Sequence, residues 1–390
     1  MSAHANPDIV DDSLVFIYDT DDGKSFKGEP TVNLATDSPS QGGWAGGREV
    51  LDSSRKKFKL IVNNFNASAG SGQGWRSFTW DLNSYSGQSV TISATVEVPS
   101  ASPGTFAWVM MGQTNTHTSN NSGAGQYMGY SAASERVVKT TTTTEHITWT
   151  GTVGSTGTAS QPSGHVGFTL WYNGGTIGVD SYVEVSNVQI EINSHATQFV
   201  NGTRSATQGL LDRTGNTTIN ISNASFDSSA EMTFDGTDDI INTGLFSGRN
   251  PSTDPFTVEA VVRSDVTSGS KIWIDATSNG SSQRFYSALI DSTSHAIGIQ
   301  GSAWSDPVPS DTNWHHQVIV MDGSTAKAYN NGELASSKSY TSYTLAGGLN
   351  IGGRSGYRWV GQIPIFKLYN RALTAAEVLQ NFNATKSRFG

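Results

Sequence analysis

The segment Val90-Thr91-Ile92-Ser93-Ala94-Thr95-Val96-Glu97-Val98 exchanges apolar and polar residues at every step. A period of two predicts a β-strand with one face in a core and the other in solvent. Further strand-like segments lie on both sides of it, separated by turns rich in Gly and Ser, at the spacing of a β-sandwich. They are Phe58–Val62, Ser77–Leu82, Thr105–Met111, Ile147–Val153, His165–Tyr172 and Tyr182–Ile192, with the Thr140–Thr144 tract as an exposed strand.

A second group of strands begins after a polar connection near residues 194–205. Its members are Thr218–Ser222, Glu231–Phe234, Thr257–Arg263, Ile272–Asp275, Tyr286–Ile290, Ala296–Gln300 and Gln362–Tyr369. A hairpin is predicted to join Gln317–Met321 to Ala326–Asn330, because Asp322-Gly323 supplies the positive φ angles of a right-twisted turn. This group therefore predicts a second sandwich.

A helix is predicted to follow Thr374 near the end of the chain. Thr374 and Glu377 have the spacing of a capping box, in which each residue satisfies a free backbone N–H of the other. The apolar residues Val378, Leu379 and Phe382 recur at helical spacing. We expect these three side chains to dock the helix onto the second sandwich.

Composition agrees with two domains and excludes several classes of protein. The chain has 390 residues, more than one hydrophobic core usually organises, and its 42 glycines indicate many tight turns. A net charge of −9 argues against a nucleic-acid partner, and the absence of cysteine excludes disulfides and thiolate metal sites. The first residues resemble no signal peptide, and no apolar run is long enough for a membrane span, so we expect synthesis in a cytoplasm and no membrane insertion.

One series of motifs in the second group carries a family resemblance. The motifs are Met232–Asp239, Phe256–Val262, Trp314–Val318, Tyr329–Leu334, Leu349–Gly353 and Lys367–Thr374. In this order they resemble the laminin-G-like jelly rolls of the concanavalin A-like lectin/glucanase superfamily. That family normally begins with a strand like Ser13–Asp19, followed closely by a segment like Leu210–Asn216.

Here those two segments lie far apart, which predicts an insertion. Residues 8–30 would supply the first strand of the laminin-G-like sandwich of residues 204–390, beside Ile363–Tyr369. Residues 33–195 would form the inserted jelly roll, which resembles carbohydrate-binding modules in Asn33-Leu34, Gly43-Trp44 and Val185–Ile190. The predicted fold class is thus all-β, with two jelly-roll β-sandwiches, one inserted into the other, and a short C-terminal helix.

The last residues, 379–390, resemble the ends of laminin-G-like structural proteins of tailed phages. This resemblance implies a non-catalytic protein of the virion surface, assembled in the host cytoplasm as a capsid decoration or a head or tail appendage. Its partners would be other virion proteins, and it would form a homo-oligomer such as a trimer. The alternatives are a glycan-binding receptor-recognition protein of the phage tail, with host surface glycans as partners, and a glycan hydrolase.

Hydrolysis is the least favoured of these functions. Glucanases of this superfamily carry a strand with Glu-x-Asp-x-Glu spacing, which the chain lacks. Its nearest pairs, Glu184 with Glu191 and Glu259 with Asp265, are too widely spaced, and we expect ordinary strand-face charges. His315 and His316 are adjacent on a strand and point to opposite faces, so they cannot hold one metal together.

The acidic residues Asp235, Asp238 and Asp239 are candidate ligands for calcium, the one cofactor that the residues favour. A carboxylate-rich turn beside Gly236 suits the preference of Ca²⁺ for oxygen, and related jelly rolls hold calcium. An Asp-Gly turn without a metal explains the same residues, and both interpretations stay open. Asp19, Asp21 and Asp22 form a rival site.

Three aromatic residues are candidates for sugar binding. Trp304, Tyr357 and Trp359 lie in polar, Gly-rich stretches that predict loops, where an exposed ring could stack on a pyranose. Packing or a subunit interface also accounts for them, and this alternative is favoured over a glycan site. Trp149 and Trp314 are predicted to lie in the core.

Overall fold

The computed structural model describes most of the chain. The described ranges are 8–43, 46–62, 73–97, 108–115, 136–139, 144–154, 162–173, 181–276, 285–291, 294–299, 302–306, 310–345 and 347–389. The chain forms two compact units. The split unit consists of Met1–Pro30 and Ser205–Gly390, and the inserted unit consists of Thr31–Arg204.

The strands are numbered in chain order. The split unit begins with β1 (Leu14–Asp19). The inserted unit contains β2 (Thr31–Val32), β3 (Ser40–Gly43), β4 (Gly46–Asp52), β5 (Lys57–Val62), β6 (Gln73–Asp81), β7 (Ser89–Glu97), β8 (Trp108–Asn115), β9 (Arg136–Lys139), β10 (Glu145–Thr152), β11 (Pro162–Asn173), β12 (Ser181–Glu191) and β13 (Thr203–Arg204). Short 3₁₀ turns occupy Ser53–Arg55 and Asn83–Tyr85.

The split unit then resumes and ends on a helix. Its elements are β14 (Ser225–Phe226), β15 (Met232–Asp235), β16 (Ile241–Asn242), β17 (Phe256–Ser264), β18 (Lys271–Asp275), β19 (Phe285–Asp291), β20 (Ser294–Ile299), β21 (Ser302–Asp306), β22 (Trp314–Met321), β23 (Thr325–Asn330), β24 (Glu333–Ser339), β25 (Asn350–Ile351), β26 (Val360–Tyr369) and α1 (Ala375–Phe389). No helix among the described residues is long and apolar enough to cross a membrane.

The split unit is a sandwich of two antiparallel sheets. One sheet has the order β14-β15-β26-β17-β22-β23-β24 with β1 also paired to β26, and the other has the order β16-β25-β18-β19-β20-β21. Strand β1 pairs along β26 from Leu14 opposite Tyr369 to Asp19 opposite Ile365. This is the predicted pairing, so the N-terminal strand completes a sheet whose other strands follow residue 205.

The core of the split unit explains why β1 is held there. Phe16 and Tyr18 are fully buried, and their rings lie 6.1 Å from the ring of Phe366 on the neighbouring strand. Burying an aromatic side chain contributes about 1.5–3 kcal/mol through the hydrophobic effect. The strand therefore contributes two of the largest fully buried side chains of this unit.

The inserted unit is a second sandwich with its own core. Its sheets have the orders β10-β7-β12-β5-β4 and β3-β6-β11-β8-β9. Asn33 joins its two ends: the side-chain amide donates to the carbonyls of Val188 and Val200 and accepts from the N–H of Ile190. The opening and closing motifs of the predicted carbohydrate-binding module are thus in direct contact, while Trp44 and residues 140–143 lie outside the described residues.

Local predictions are confirmed in most places and wrong in three. Residues 218–222 form no strand: Ile219 and Ile221 are buried in the core, but no ladder pairs this segment with a described strand. Strand β7 buries Thr91 and Ser93 on its polar face as well, since Thr91 bonds to Thr150 and to the carbonyl of Asn193. The capping box forms as predicted. The side chain of Leu379, however, is 45% exposed.

Candidate functional site

The acidic loop at residues 235–239 is a turn at the end of β15. Asp235 pairs with Val360 of β26, and Gly236 follows with a φ of 84°, a conformation that favours glycine. The turn brings one carboxylate oxygen of each of Asp235, Asp238 and Asp239 within 4.8 Å of the others. The three predicted ligands are therefore brought together.

Asp239 is the buried member of this group. Its carboxylate accepts hydrogen bonds from the Ser225 hydroxyl and from the backbone N–H of Asp235. Burial raises the pKa of Asp239 to about 6, and the nearby Asp235 carboxylate acts in the same direction. A set of oxygen donors with excess negative charge fits Ca²⁺, which takes 6–8 oxygen ligands, so these residues would supply part of a calcium site.

The raised pKa predicts a pH dependence of stability. Unfolded Asp239 titrates near pH 4, but the folded residue titrates near 6. Its contribution to stability is complete below about pH 4 and is lost as the pH rises to about 6, because the folded state then holds a buried charge. Asp239→Asn should remove this loss of stability between about pH 4 and 6. In calcium-free buffer at pH 7, the variant should therefore make the split unit more stable than wild type. The measurement is the denaturation midpoint against pH.

The exposed Asp238 provides the control for this prediction. Asp238→Asn should keep the fall in stability between about pH 4 and 6. An identical fall in wild type and Asp239→Asn would show that another group is responsible.

Tyr357 lies in the loop beside the acidic loop, and its side chain is 43% exposed. The Arg354 guanidinium lies 5.0 Å from the Tyr357 ring centroid and 3.4 Å from a carboxylate oxygen of Asp275. A Cβ on Gly352 would lie 3.0 Å from the Asp239 carbonyl oxygen, so this loop packs directly on the acidic one. Residues 235–239 and 352–357 together are called the rim.

The predictions for four tryptophans have different outcomes. The indole of Trp359 is only 1% exposed and belongs to the hydrophobic core, so the prediction of an exposed ring is wrong. Its Gly-rich context reflects close packing, since the backbone N–H of Trp359 donates to the carbonyl of Gly352. Trp304 lies on β21, and its side chain is outside the described part of the structure. Trp149 is buried as predicted, whereas Trp314 is only half-buried.

The carboxylates of the rival acidic group form ion pairs with arginines. Arg388 bonds to Asp19 and Asp21 at 2.6–2.7 Å, and Arg213 bonds to Asp22 at 2.8 Å. These ion pairs neutralise the carboxylates that a calcium ion would need. The rim is therefore the better candidate for a calcium site.

Glu259 lies in a buried polar network on the outer side of its sheet. Its carboxylate accepts hydrogen bonds from Lys367 at 2.6 Å and from His316 at 3.0 Å. The amide of Asn381 on α1 donates at 2.6 Å. Burial opposes ionisation, but the Lys367 charge and these hydrogen bonds lower the pKa of Glu259 to about 2. The carboxylate thus stays ionised and anchors the helix.

The other widely spaced carboxylates also have structural partners. Glu184 forms an ion pair with Lys57 at 2.7 Å, and Asp265 lies 3.5 Å from Arg263. Glu191 is buried and accepts hydrogen bonds from Thr31 and Thr197. Glu184 and Glu191 are therefore engaged by structural partners, while Asp265 forms a surface ion pair.

The paired histidines have separate partners. His315 contacts Asp311 and Asn330, whereas His316 contacts Glu259. The two rings therefore serve different parts of the fold.

Comparison with family models finds one match. Residues 235–379 match the model of the concanavalin A-like lectin/glucanases superfamily, so this segment, less than half of the chain, is similar to that superfamily. A comparison with curated proteins finds no match.

Similar solved structures include two toxin binding domains and a sialidase. The binding domain of botulinum neurotoxin DC in complex with rat synaptotagmin II is 12% identical, with a TM-score of 0.35, over 46% of this chain and 50% of that one. The binding domain of paraclostridial mosquitocidal protein 1 is 18% identical, with a TM-score of 0.35, over 45% and 49%. Trypanosoma rangeli sialidase is 15% identical, with a TM-score of 0.38, over 48% and 32%. The chain spans half or less of each.

Proposed function

We propose that the chain is a non-catalytic surface protein of a bacteriophage particle, a capsid decoration or a head or tail appendage, which presents lectin-like domains. The resemblance of residues 379–390 to the ends of phage structural proteins supports the virion role. These residues belong largely to α1, which Asn381 and Arg388 tie to the rest of the split unit. Their role in this proposal is to complete the fold of a stable surface module.

The engagement of the carboxylates supports a binding function over hydrolysis. A glycosidase needs two carboxyl groups that face one substrate. Glu259 is 1% exposed and ion-paired, and Glu184, Glu191 and Asp265 are held by the contacts described above. A hydrolase would need an acid and a base from elsewhere in the chain.

The rim is the observation that carries a recognition role. The loop that carries the exposed ring of Tyr357 packs on the loop that carries the three carboxylates, and Arg354 lies over that ring. Aromatic rings stack on the apolar face of a sugar, and polar groups around them hold its hydroxyls. Calcium, when bound, would add coordination positions for sugar hydroxyls. This arrangement favours the second candidate, a glycan-binding receptor-recognition protein of the phage tail.

The virion role is tested by a cryo-EM map of the intact particle. We expect copies of the chain at the particle surface, with the rim facing outward. Regular positions on the capsid would indicate a decoration protein, and positions on the tail would indicate receptor recognition. Purified particles without the chain would overturn the virion proposal.

Recognition at the rim is tested on a glycan array with the full chain. Tyr357→Ala should weaken binding to any retained glycan at least tenfold, because the stacking surface is removed. Chelation of calcium should weaken it as well. Tyr182→Ala is the matched control, since Tyr182 also lies under a cation, the ammonium of Lys59 at 4.3 Å, but in the inserted unit. Equal binding by wild type and Tyr357→Ala would exclude the rim.

A further inference from the structure

A pocket of about 130 Å³ lies between β22 and α1 of the split unit, away from the rim residues. Its aromatic lining consists of Trp314, Phe382 and Phe389, and its polar lining includes His316, Asn331 and Lys386. We call it the helix pocket. A cavity of roughly 150 Å³ holds one benzene molecule, so the helix pocket has the size for a single six-membered ring.

The aromatic walls suit a flat apolar surface. The rings of Trp314 and Phe389 have their centroids 4.9 Å apart, and Phe382 lies 5.7 Å from the imidazole of His316. Arg263 lies over Trp314 and Arg388 lies over Phe389, at 5.1 and 5.0 Å from the ring centroids. Both aromatic side chains are still only half-buried, so part of their ring surface remains open. Either a pyranose ring or a benzene ring would fit against these walls. The polar groups of the pocket distinguish the two kinds of ligand.

The charge in the helix pocket favours an anion. Lys386 is exposed, and within the described residues no carboxylate contacts its ammonium, which lies 5.7 Å from the Phe382 ring. Aspartate and glutamate are absent from the described lining of the pocket. The described lining of the pocket therefore carries the ammonium of Lys386 and no carboxylate.

The hydrogen-bonding groups favour a ligand with hydroxyls. Nε2 of His316 donates to the carboxylate of Glu259, so Nδ1 is the ring nitrogen left for a ligand. That Nδ1 is buried and has no partner among the described residues. The side-chain oxygen of Asn331 already accepts from the backbone N–H of His316, and its exposed amide NH₂ group is placed to donate to a ligand. A benzene ring would leave these groups unused, whereas sugar hydroxyls would use them.

We infer that the helix pocket binds an acidic sugar, a pyranose that carries a carboxylate, such as a uronic acid residue of a polysaccharide. The ring stacks on Trp314 and Phe389, the carboxylate pairs with Lys386, and hydroxyls bond to Asn331 and His316. This site shares no residue with the rim. It stands independently of the rim and of the virion role.

The test measures binding of glucuronic acid and its oligomers to the full chain by calorimetry and by saturation-transfer NMR. Glucose and benzoate are the two comparison ligands. Wild type should bind glucuronic acid at least tenfold more tightly than either, and high salt should reduce this difference because the charge pair is exposed. Equal affinity for glucose would overturn the proposal that the ligand is an anion. Equal affinity for benzoate would overturn the proposal that the ligand is a sugar.

Variants locate the site. Lys386→Gln should lower the affinity for glucuronic acid about tenfold and leave that for glucose unchanged, and Lys386→Arg should restore it. Phe389→Leu should lower the affinity for both glucuronic acid and glucose, because it removes a stacking ring. It should leave the buried network around Glu259 intact. Unchanged affinity in both Lys386→Gln and Phe389→Leu would overturn the proposal. Tyr357→Ala should keep glucuronic acid binding, which separates this site from recognition at the rim.

Discussion

Glu259→Ala should lower the free energy of unfolding of the split unit by about 3–5 kcal/mol, because a buried charge loses its partner. Lys367 and Glu259 are each only 1% exposed, so water cannot replace the lost carboxylate. The same change removes the acceptor of Asn381, which ties α1 to the sheet. For a unit of this size the loss corresponds to a fall in Tm of roughly 6–20 °C. Scanning calorimetry measures it, since the two units can melt separately.

The control for this prediction removes both charges. The double variant Glu259→Leu with Lys367→Met keeps the volume of the network but leaves no unpaired ion, and such replacements are often close to neutral in stability. We expect it to regain most of the stability lost in Glu259→Ala. A shift of less than about 1 kcal/mol in Glu259→Ala, the value typical of surface pairs, would mean that the network is open to solvent.

Deletion of residues 1–30 should abolish cooperative folding of the split unit while the inserted unit still folds. The deletion removes Phe16, Ile17 and Tyr18, whose burial contributes roughly 5–9 kcal/mol. A domain has only about 5–15 kcal/mol of net stability, so the remainder would be largely unfolded. Calorimetry and limited proteolysis should show one lost transition and one protease-resistant fragment near residues 31–204. A split-unit transition that persists at an unchanged Tm would contradict the discontinuous domain.

The complementary variant removes the inserted unit instead. Thr31–Val32 pairs with Thr203–Arg204, so the two ends of the inserted unit lie side by side. A short Gly/Ser linker can therefore replace residues 31–204 without strain on the flanking chain. This variant should keep the transition of the split unit.

The sequence predicts where the acidic group of residues 235–239 lies, but it does not predict the burial and raised pKa of Asp239. Asp235, Asp238 and Asp239 lie close in sequence beside a glycine, so one turn brings them together. The burial of Asp239 depends on Ser225 and on the packing of Gly352, which no local pattern indicates. The rival group failed for a similar reason, because Arg388 reaches Asp19 across 369 residues of sequence.

The sequence by itself determined many strands of both sandwiches, although not β4, β21 or β24, and it determined the Asp-Gly hairpin and the capping box, because these depend on residues a few positions apart. With the family resemblance it also determined the pairing of β1 with β26. Only the tertiary structure decided which side chains face solvent: it buries Trp359, opens Trp314 to the helix pocket and encloses Glu259 with Lys367, His316 and Asn381. Burial and charge pairing are set by contacts between distant segments, so alternation along one strand cannot reveal what covers its outer face.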